Sequence, residues 1–321
     1  MQSNQPFLSI IIPLYEEASN LADLTHKLAV FIKKYQDTVE VILVDDGSQD
    51  ETEQILKPLV AEYPWLKAIL LSRNYGQSAA MTAGFQNALG KIIVSMDGDL
   101  QNDPADIPRL IAKLDEGYDV VCGWRKDRKD DFLQRKLPSK IANWLIVKIS
   151  GVKLHDYGCS LKAYRSKYVE NLILYGELHR FIPILTSLEG ACIAEIEVNH
   201  YPRTQGKSKY GIGRMPKVLL DLLLMYYFQR FATRPLHFFG RSGLVMLVTG
   251  FVIEIYLTGI KLFLHQDIGT RPLLLLGALL IISGIMLVGI GIIAELLVRI
   301  YHENGGRHIY LIKSTIEHGK N

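Results

Sequence analysis

Two long apolar runs near the C-terminus constrain this chain more than any other feature. From Phe238 to Leu264, and again from Pro272 to Val298, the sequence is almost uninterrupted by charge. Each run exceeds the ~20 residues that a helix needs to cross a hydrocarbon core. A short polar connector, His265 to Arg271, separates them, so the pair reads as a two-helix transmembrane hairpin. The competing reading is two helices buried in a large soluble core. Arg230 and Arg234 precede the first run and Arg241 lies in its opening turn; Arg299, Arg307 and Lys313 follow the second. The connector side carries fewer basic residues, which places both outer ends of the hairpin in the cytoplasm. Glu254 and Glu295 lie inside the runs, where a carboxyl is costly, and are expected to face protein or a water-filled crevice.

Upstream, Met215 to Phe231 is a third apolar stretch, interrupted by Lys217, Asp221, Gln229 and Arg230. It reads as an amphipathic helix at the membrane interface, with packing against a soluble domain as the competitor. The expected division is therefore 1–213 as a soluble domain and 214–234 as an interfacial helix. The hairpin follows over 235–300, and 301–321 forms a cytoplasmic tail. No secretory signal opens the chain, since Met1–Pro6 is polar and Phe7–Leu14 reads as a strand. A net charge of +3 is too small to argue for nucleic acid. Cys122, Cys159 and Cys192 have neither paired nor metal-like spacing, which fits a reducing compartment.

The first half alternates short β-branched runs with amphipathic segments. Strands are expected at Leu8–Ile12, Val39–Val44, Ala68–Leu71, Ile92–Met96 and around Val120-Val121. Helices are expected over Asn20–Lys34, from Asp50, over Ser78–Leu89 and from Asp103-Pro104, where proline suits a first turn. Near-continuous apolar strands in a β-α rhythm predict an α/β fold, Rossmann-like, with a mostly parallel sheet covered on both faces. Ligands in such sheets bind beyond the carboxyl ends of the strands. The acidic residues at 45–46 and 97–99 fall there.

Asp97-Gly98-Asp99 follows the fourth expected strand. Two carboxylates two residues apart, at the point where a strand becomes a loop, can turn toward one hard cation. Mg²⁺ with one or two carboxylates, completed by substrate phosphates, is the usual arrangement for phosphate substrates. Alone the pattern is common. Its company is more specific: Pro13-Leu14-Tyr15-Glu16-Glu17 closes the first strand, Val44-Asp45-Asp46-Gly47-Ser48 the second, and Leu100-Gln101 extends the acidic turn. Gly206-Lys207-Ser208-Lys209-Tyr210 and the hairpin complete the set. Together these resemble family-two glycosyltransferases of the GT-A fold, and more closely the polyprenyl-phosphate glycosyltransferases. The resemblance spans essentially the whole chain.

That resemblance implies roles, position by position. Pro13, Tyr15 and Glu17 would line the nucleobase and ribose pocket, with Asp46 or Asp45 bonding the base, one of the two being a turn-former. Asp97 would lie near the ribose and the metal; Asp99 and Gln101 would ligate Mg²⁺ or Mn²⁺. Arg125 and Arg135 match arginines that hold phosphates. Arg203, Lys207 and Lys209 sit in a glycine-flanked loop that could close over the substrates, and His179 lies in a segment near the acceptor. Two anionic substrates repel unless cations intervene, so such basic residues are needed on physical grounds. Asp156 stands where the family has an acidic residue, as a general base or as a group that orients the sugar or an arginine. A phosphate monoester with its second pKa near ~6 needs little help in losing a proton.

The implied reaction is a single inverting displacement. A lipid phosphate attacks the anomeric carbon of a nucleotide-sugar, with UDP-glucose and undecaprenyl phosphate favoured over GDP-mannose, dolichyl phosphate or a modified UDP-sugar. A processive polysaccharide synthase is the nearest rival. It needs a Gln-x-x-Arg-Trp segment, and none of Trp65, Trp124 and Trp144 sits in one. A non-catalytic lipid-binding relative is the alternative of another class. Gly284, Gly289 and Gly291 in the second run permit close helix packing and lead to an expected homo-oligomer.

Overall fold

A computed structural model describes residues 5–126, 147, 150–174, 176–202, 235–265, 267–269, 271–303 and 310–319. The chain forms two compact units, one of Met1–Leu222 with His308–Asn321 and one of Leu223–Arg307.

The first unit is organised by four parallel strands. In chain order its described elements are β1 (Leu8–Leu14), α1 (Leu21–Lys34), β2 (Val39–Asp45), α2 (Thr52–Glu62) and β3 (Leu66–Leu71). Then come α3 (Gln77–Asn87), β4 (Ile92–Ser95), α4 (Ile107–Asp115), β5 (Val120–Trp124), β6 (Lys162–Arg165), α5 (Ile182–Leu188) and β7 (Ile193–Glu197). Ile10, Ile11 and Ile12 are all fully buried, so β1 has no wet face, as a central parallel strand requires. Helix α1 covers one face through Leu21, Leu24, Leu28 and Phe31, while α3 offers small residues, Ala79, Ala80 and Ala83, to close packing. At Gly84 an added Cβ would lie 2.3 Å from Ile11 Cγ2, so α3 approaches β1 too closely for any side chain there.

With β8 (Ile312–Glu317), the described residues form an eight-stranded sheet in the order β7-β5-β6-β4-β1-β2-β3-β8. It is mostly parallel, as the sequence predicts, but β5 does not follow β4 directly. β6 is inserted between them, antiparallel to both. Two reversals restore direction, so β5 ends at the same edge as β1, β2 and β4. The eighth strand, β8, lies in the segment expected only as a tail and pairs antiparallel with β3.

The second unit is a hairpin of α6 (Pro235–Phe263) and α7 (Pro272–Glu303). A Cβ on Gly243 would meet the Gly284 carbonyl at 2.7 Å, and one on Gly250 the Gly277 carbonyl at 2.8 Å. Paired glycines one heptad apart on each helix thus bring the two backbones together. Gly284 and Gly291 therefore serve packing inside the hairpin, whereas a Cβ on Gly289 would meet no described atom of another element within 4 Å. The outward surface is apolar: Leu244, Ile255 and Ile293 are 60%, 70% and 60% exposed. Helices of a soluble core bury such residues; these present them outward, as lipid-facing spans do. Phe238–Phe263 and Pro272–Ala294 are long and apolar enough to cross a membrane, which makes the pair a candidate membrane hairpin. Glu254 faces α7, its Oε1 lying where a Cβ on Gly277 would be 2.4 Å away. The expected interfacial helix over 214–234 and the side chain of Glu295 lie outside the described residues.

Candidate active site

The carboxyl edge of the sheet gathers loops from β1, β2, β4 and β5. After β4, Asp97 and Asp99 are half-buried, with Gly98 between them packed on β1. A Cβ on Gly98 would lie 2.5 Å from Leu14 Cδ2, so glycine is what lets the acidic turn sit against the strand end. Leu100, buried, adopts φ 63, a conformation costly for a branched residue and held here by the surrounding packing. The turn is tied internally: Asp99 Oδ1 accepts the Gln101 backbone N–H at 3.2 Å, and Asn102 Oδ1 accepts that of Asp97 at 3.1 Å. Gln101 donates Nε2 to the Tyr201 carbonyl at 3.2 Å, leaving Oε1 as the end of the amide suited to a cation.

Among the described residues no cluster of three His, Cys, Asp or Glu side chains forms a closed metal cage. Two carboxylates and an amide oxygen on one turn are nevertheless a hard, oxygen-only donor set. Such a set fits a divalent ion whose remaining ligands come from substrate phosphate.

Asp97 is oriented from a neighbouring helix. Gln77, the first residue of α3, donates Nε2 to Asp97 Oδ1 at 2.9 Å. The next residue, Ser78, shares a hydrogen bond of 3.0 Å with His179 Nδ1 and accepts the His179 backbone N–H at 3.2 Å. Helix α3 thus links the acidic turn to the segment around His179. Sequence reasoning missed Gln77 and Ser78; their one signal was polar residues opening an otherwise small, apolar helix.

Arg125 and Asp156 form a bidentate ion pair at this edge. Arg125 donates Nε and an Nη to the two Asp156 oxygens at 2.6 and 2.9 Å, and both side chains are 11% exposed. Burial opposes the guanidinium charge, but the bonds and charge of Asp156 outweigh it and hold Arg125 above its ordinary range, with Asp97 adding to the effect. Arg125 is therefore within electrostatic reach of both Asp156 and Asp97.

On the β1–β2 side, Pro13 pairs in register with Val44, and Tyr15 is half-buried just beyond β1. Glu17 accepts a 2.5 Å hydrogen bond from Asn20 Nδ2. Both aspartates after β2 have local duties. Asp45 accepts the backbone N–H and the hydroxyl of Ser48. Asp46 accepts the backbone N–H groups of Tyr75 and Gly76 at 2.7 and 2.8 Å, fixing the turn into α3. Burial pushes Asp46 up to about 6, against the pull of those two N–H donors and with help from the Asp45 charge. Gly47 is required here, since its φ is +68 and a Cβ would strike the Arg73 backbone at 2.3 Å. The expected phosphate and acceptor residues Arg135, Arg203, Lys207 and Lys209 lie outside the described residues.

The family model for Glycosyl transferase family 2 matches residues 9–173, which include all of these turns from β1 through Asp156. The chain belongs to that family. This glycosyltransferase is 43% identical over 314 residues to a dodecaprenyl-phosphate galacturonate synthase of Rhizobium johnstonii, covering 97% of the chain and 93% of the relative. It is 36% identical over 313 residues to an undecaprenyl-phosphate 4-deoxy-4-formamido-L-arabinose transferase of Edwardsiella ictaluri, covering 97% and 94%. Both matches extend through the hairpin, so the likeness to polyprenyl-phosphate glycosyltransferases is one of whole chains. Among solved structures, the glycosyltransferase resembles glucosyl-3-phosphoglycerate synthase from Mycobacterium tuberculosis, in complex with Mn²⁺, UDP and glucosyl-3-phosphoglycerate. The TM-score is 0.54 at 16% identity, over 69% of this chain and 80% of that one. That likeness concerns the fold, which is GT-A.

Proposed function

We propose that this glycosyltransferase transfers a sugar, with inversion, from a uridine diphosphate sugar to a polyisoprenyl phosphate at the cytoplasmic face of a membrane. The observation that carries the proposal is the union, in one chain, of an acidic turn with a hard oxygen donor set and a hairpin with an outward apolar surface. Relatives whose names specify polyprenyl-phosphate acceptors, matched over 97% of the chain, support it.

Asp97, Asp99 and Gln101 would hold Mg²⁺ or Mn²⁺. The bound cation supplies positive charge to the departing diphosphate. Pro13, Tyr15 and Glu17 would line the nucleoside pocket, with Asp45 and Asp46 shaping its wall. Arg125 would face the phosphates, and Asp156 would hold Arg125 rather than take a proton. The lipid phosphate is already largely dianionic at neutral pH, so its oxygen attacks the anomeric carbon without a base while UDP leaves from the opposite face. His179, Arg135, Arg203, Lys207 and Lys209 are assigned to the acceptor phosphate on the resemblance alone.

Glucose from UDP-glucose is the expectation from the sequence. Galacturonate, named in the relative at 43% identity, takes precedence over it here, with 4-deoxy-4-formamido-arabinose next. Strand β8 follows α7 in the chain and joins the sheet of the catalytic unit. A hairpin that leaves and returns to one unit has both ends on one side of the membrane; the basic residues flanking it make that side the cytoplasm in this reading, with both termini there and the hairpin in an inner or plasma membrane. Self-association through the lipid-facing surface is part of the reading, tested by the mass of the detergent-solubilised particle.

The test is UDP release by purified protein across a panel of UDP-sugars, with and without undecaprenyl or dodecaprenyl phosphate. Release that requires the lipid and one donor is expected. Release from no donor, by protein that binds UDP, would sink the proposal.

A further inference from the structure

Below the Arg125–Asp156 pair lies a row of residues that touches none of the atoms assigned to substrate. Lys162 on β6 and Glu195 on β7 are both register partners of Cys122 on β5. Partners in adjacent strands project from the same face of a sheet, so the three side chains form a line across three strands. Cys122 is fully buried, and burial pushes its thiol up to about 12, so the middle of the line is neutral. The two ends are strongly polar side chains nearly withdrawn from water: Lys162 is 3% exposed and the Glu195 side chain 10%.

Charges in such places persist only when hydrogen-bonded. Both find partners on one short segment. Glu195 accepts the His155 backbone N–H at 3.0 Å through each oxygen and the Asp156 backbone N–H at 3.0 Å. Its Oε2 also lies 2.8 Å from His155 Nδ1. Lys162 reaches the same segment from the other side, donating Nζ to the Tyr157 carbonyl at 3.4 Å. Glu195 takes the N–H groups of His155 and Asp156, and Lys162 meets the carbonyl of Tyr157. Asp156 stands between these anchors and grips Arg125 through both oxygens.

We infer that Glu195 and Lys162 are positioning residues for the transfer reaction, clamping the 155–157 backbone so that Asp156 presents Arg125 to the substrate phosphates. The inference rests on the proposed reading of Arg125 as a phosphate-holding group. Neither residue touches the reacting atoms. Their effect passes through the angle at which Asp156 holds the guanidinium, and a displacement of about 1 Å in such a group costs on the order of 100-fold in rate.

The test uses the full-length protein in detergent with Glu195→Gln and Lys162→Met. Isothermal titration with UDP counts intact nucleotide sites, and kcat is expressed per UDP site, so a fraction of misfolded protein does not enter the result. The expected outcome is a kcat per site lowered roughly 10- to 100-fold with donor KM nearly unchanged. Added to Asp156→Asn, Glu195→Gln is expected to cost less than about 3-fold more, because both act through one chain of contacts. Wild-type kcat per site in both single variants, or a loss that multiplies in full on Asp156→Asn, would overturn the inference. A purely structural role would lower Tm and the number of UDP sites without touching kcat per site. An inactive wild type that binds UDP would instead refute the proposed function, so the two failures are separable.

Discussion

Replacing Asp156 with Asn separates two mechanisms that the geometry makes distinct. Asp156 bonds both guanidinium nitrogens of Arg125, at 2.6 and 2.9 Å, and also accepts the Gly158 backbone N–H at 3.1 Å. Asn keeps the shape but supplies one acceptor oxygen and turns an NH₂ toward a donor. Arg125 is then left nearly buried without its bidentate partner, with only the more distant charge of Asp97 to offset it. Breaking one side of a buried pair costs about 3–5 kcal/mol of stability, so the melting temperature is expected to fall by several degrees or more. A guanidinium released from its bidentate hold loses its aim, and kcat is expected to drop by roughly 100-fold. The deciding assay is the pH profile of kcat/KM. On the proposed mechanism, the wild-type rate is expected to rise as the acceptor phosphate loses its second proton near ~6. If Asp156 only positions Arg125, the Asn variant keeps this rising limb at lower amplitude. If Asp156 were the proton acceptor, the profile would change shape; a limb lost in the variant would refute the reasoning.

Three further outcomes follow from other contacts. Asp99→Asn is expected to lower transfer by ~100-fold or more while the protein still folds and partitions with membranes; full activity would remove Asp99 from the site. Gln77→Leu deletes the 2.9 Å bond that orients Asp97, a charge-assisted bond of about 1.5–3 kcal/mol, so kcat/KM should fall at least 10-fold, with wild-type kinetics ruling out the role. Asp46 is raised by burial from 3.8 to about 6, so the native state holds a proton that the unfolded chain has already released. Its contribution to stability is full below about pH 4 and is lost as pH rises through about 6. The Tm advantage of the wild type over Asp46→Asn should therefore shrink between pH 4 and pH 7. An advantage that grows over that range would show the shift to have the opposite sign.

Much of this molecule was legible before any coordinates. The first four strands announce themselves because each is buried on both faces and must be continuously apolar. The hairpin does so because lipid demands length and the absence of charge. Strand β6 did not: Lys-Ala-Tyr-Arg is four residues long with a cation at each end, and it becomes a strand only by pairing with β4 and β5. β8 is as obscure, being separated by the whole hairpin from the strand it joins. The site divides in the same way. Asp97, Asp99 and Gln101 stand together in the sequence, as do the turns at 13–17 and 44–48. The residues that aim them come from far away, with Gln77 20 positions from Asp97 and Ser78 101 from His179. Glu195 offered no signal, since a carboxylate on an edge strand resembles a solvated charge until the 155–157 segment is seen to lie against it. The order of the sheet, with β6 inserted and direction restored at β5, is what carries Arg125 to the acidic edge.

The central claim, metal-dependent inverting transfer to a lipid phosphate, is tested most directly by the product. Purified protein would be incubated with Mg²⁺ or Mn²⁺, UDP-galacturonate or UDP-glucose, and undecaprenyl phosphate. The lipid fraction would then be analysed by mass spectrometry and by NMR of the anomeric centre. The expected result is one sugar joined to the lipid phosphate, its anomeric configuration opposite to that of the donor, and no product after chelation. Retained configuration, or undiminished product with the cation removed, would contradict the account.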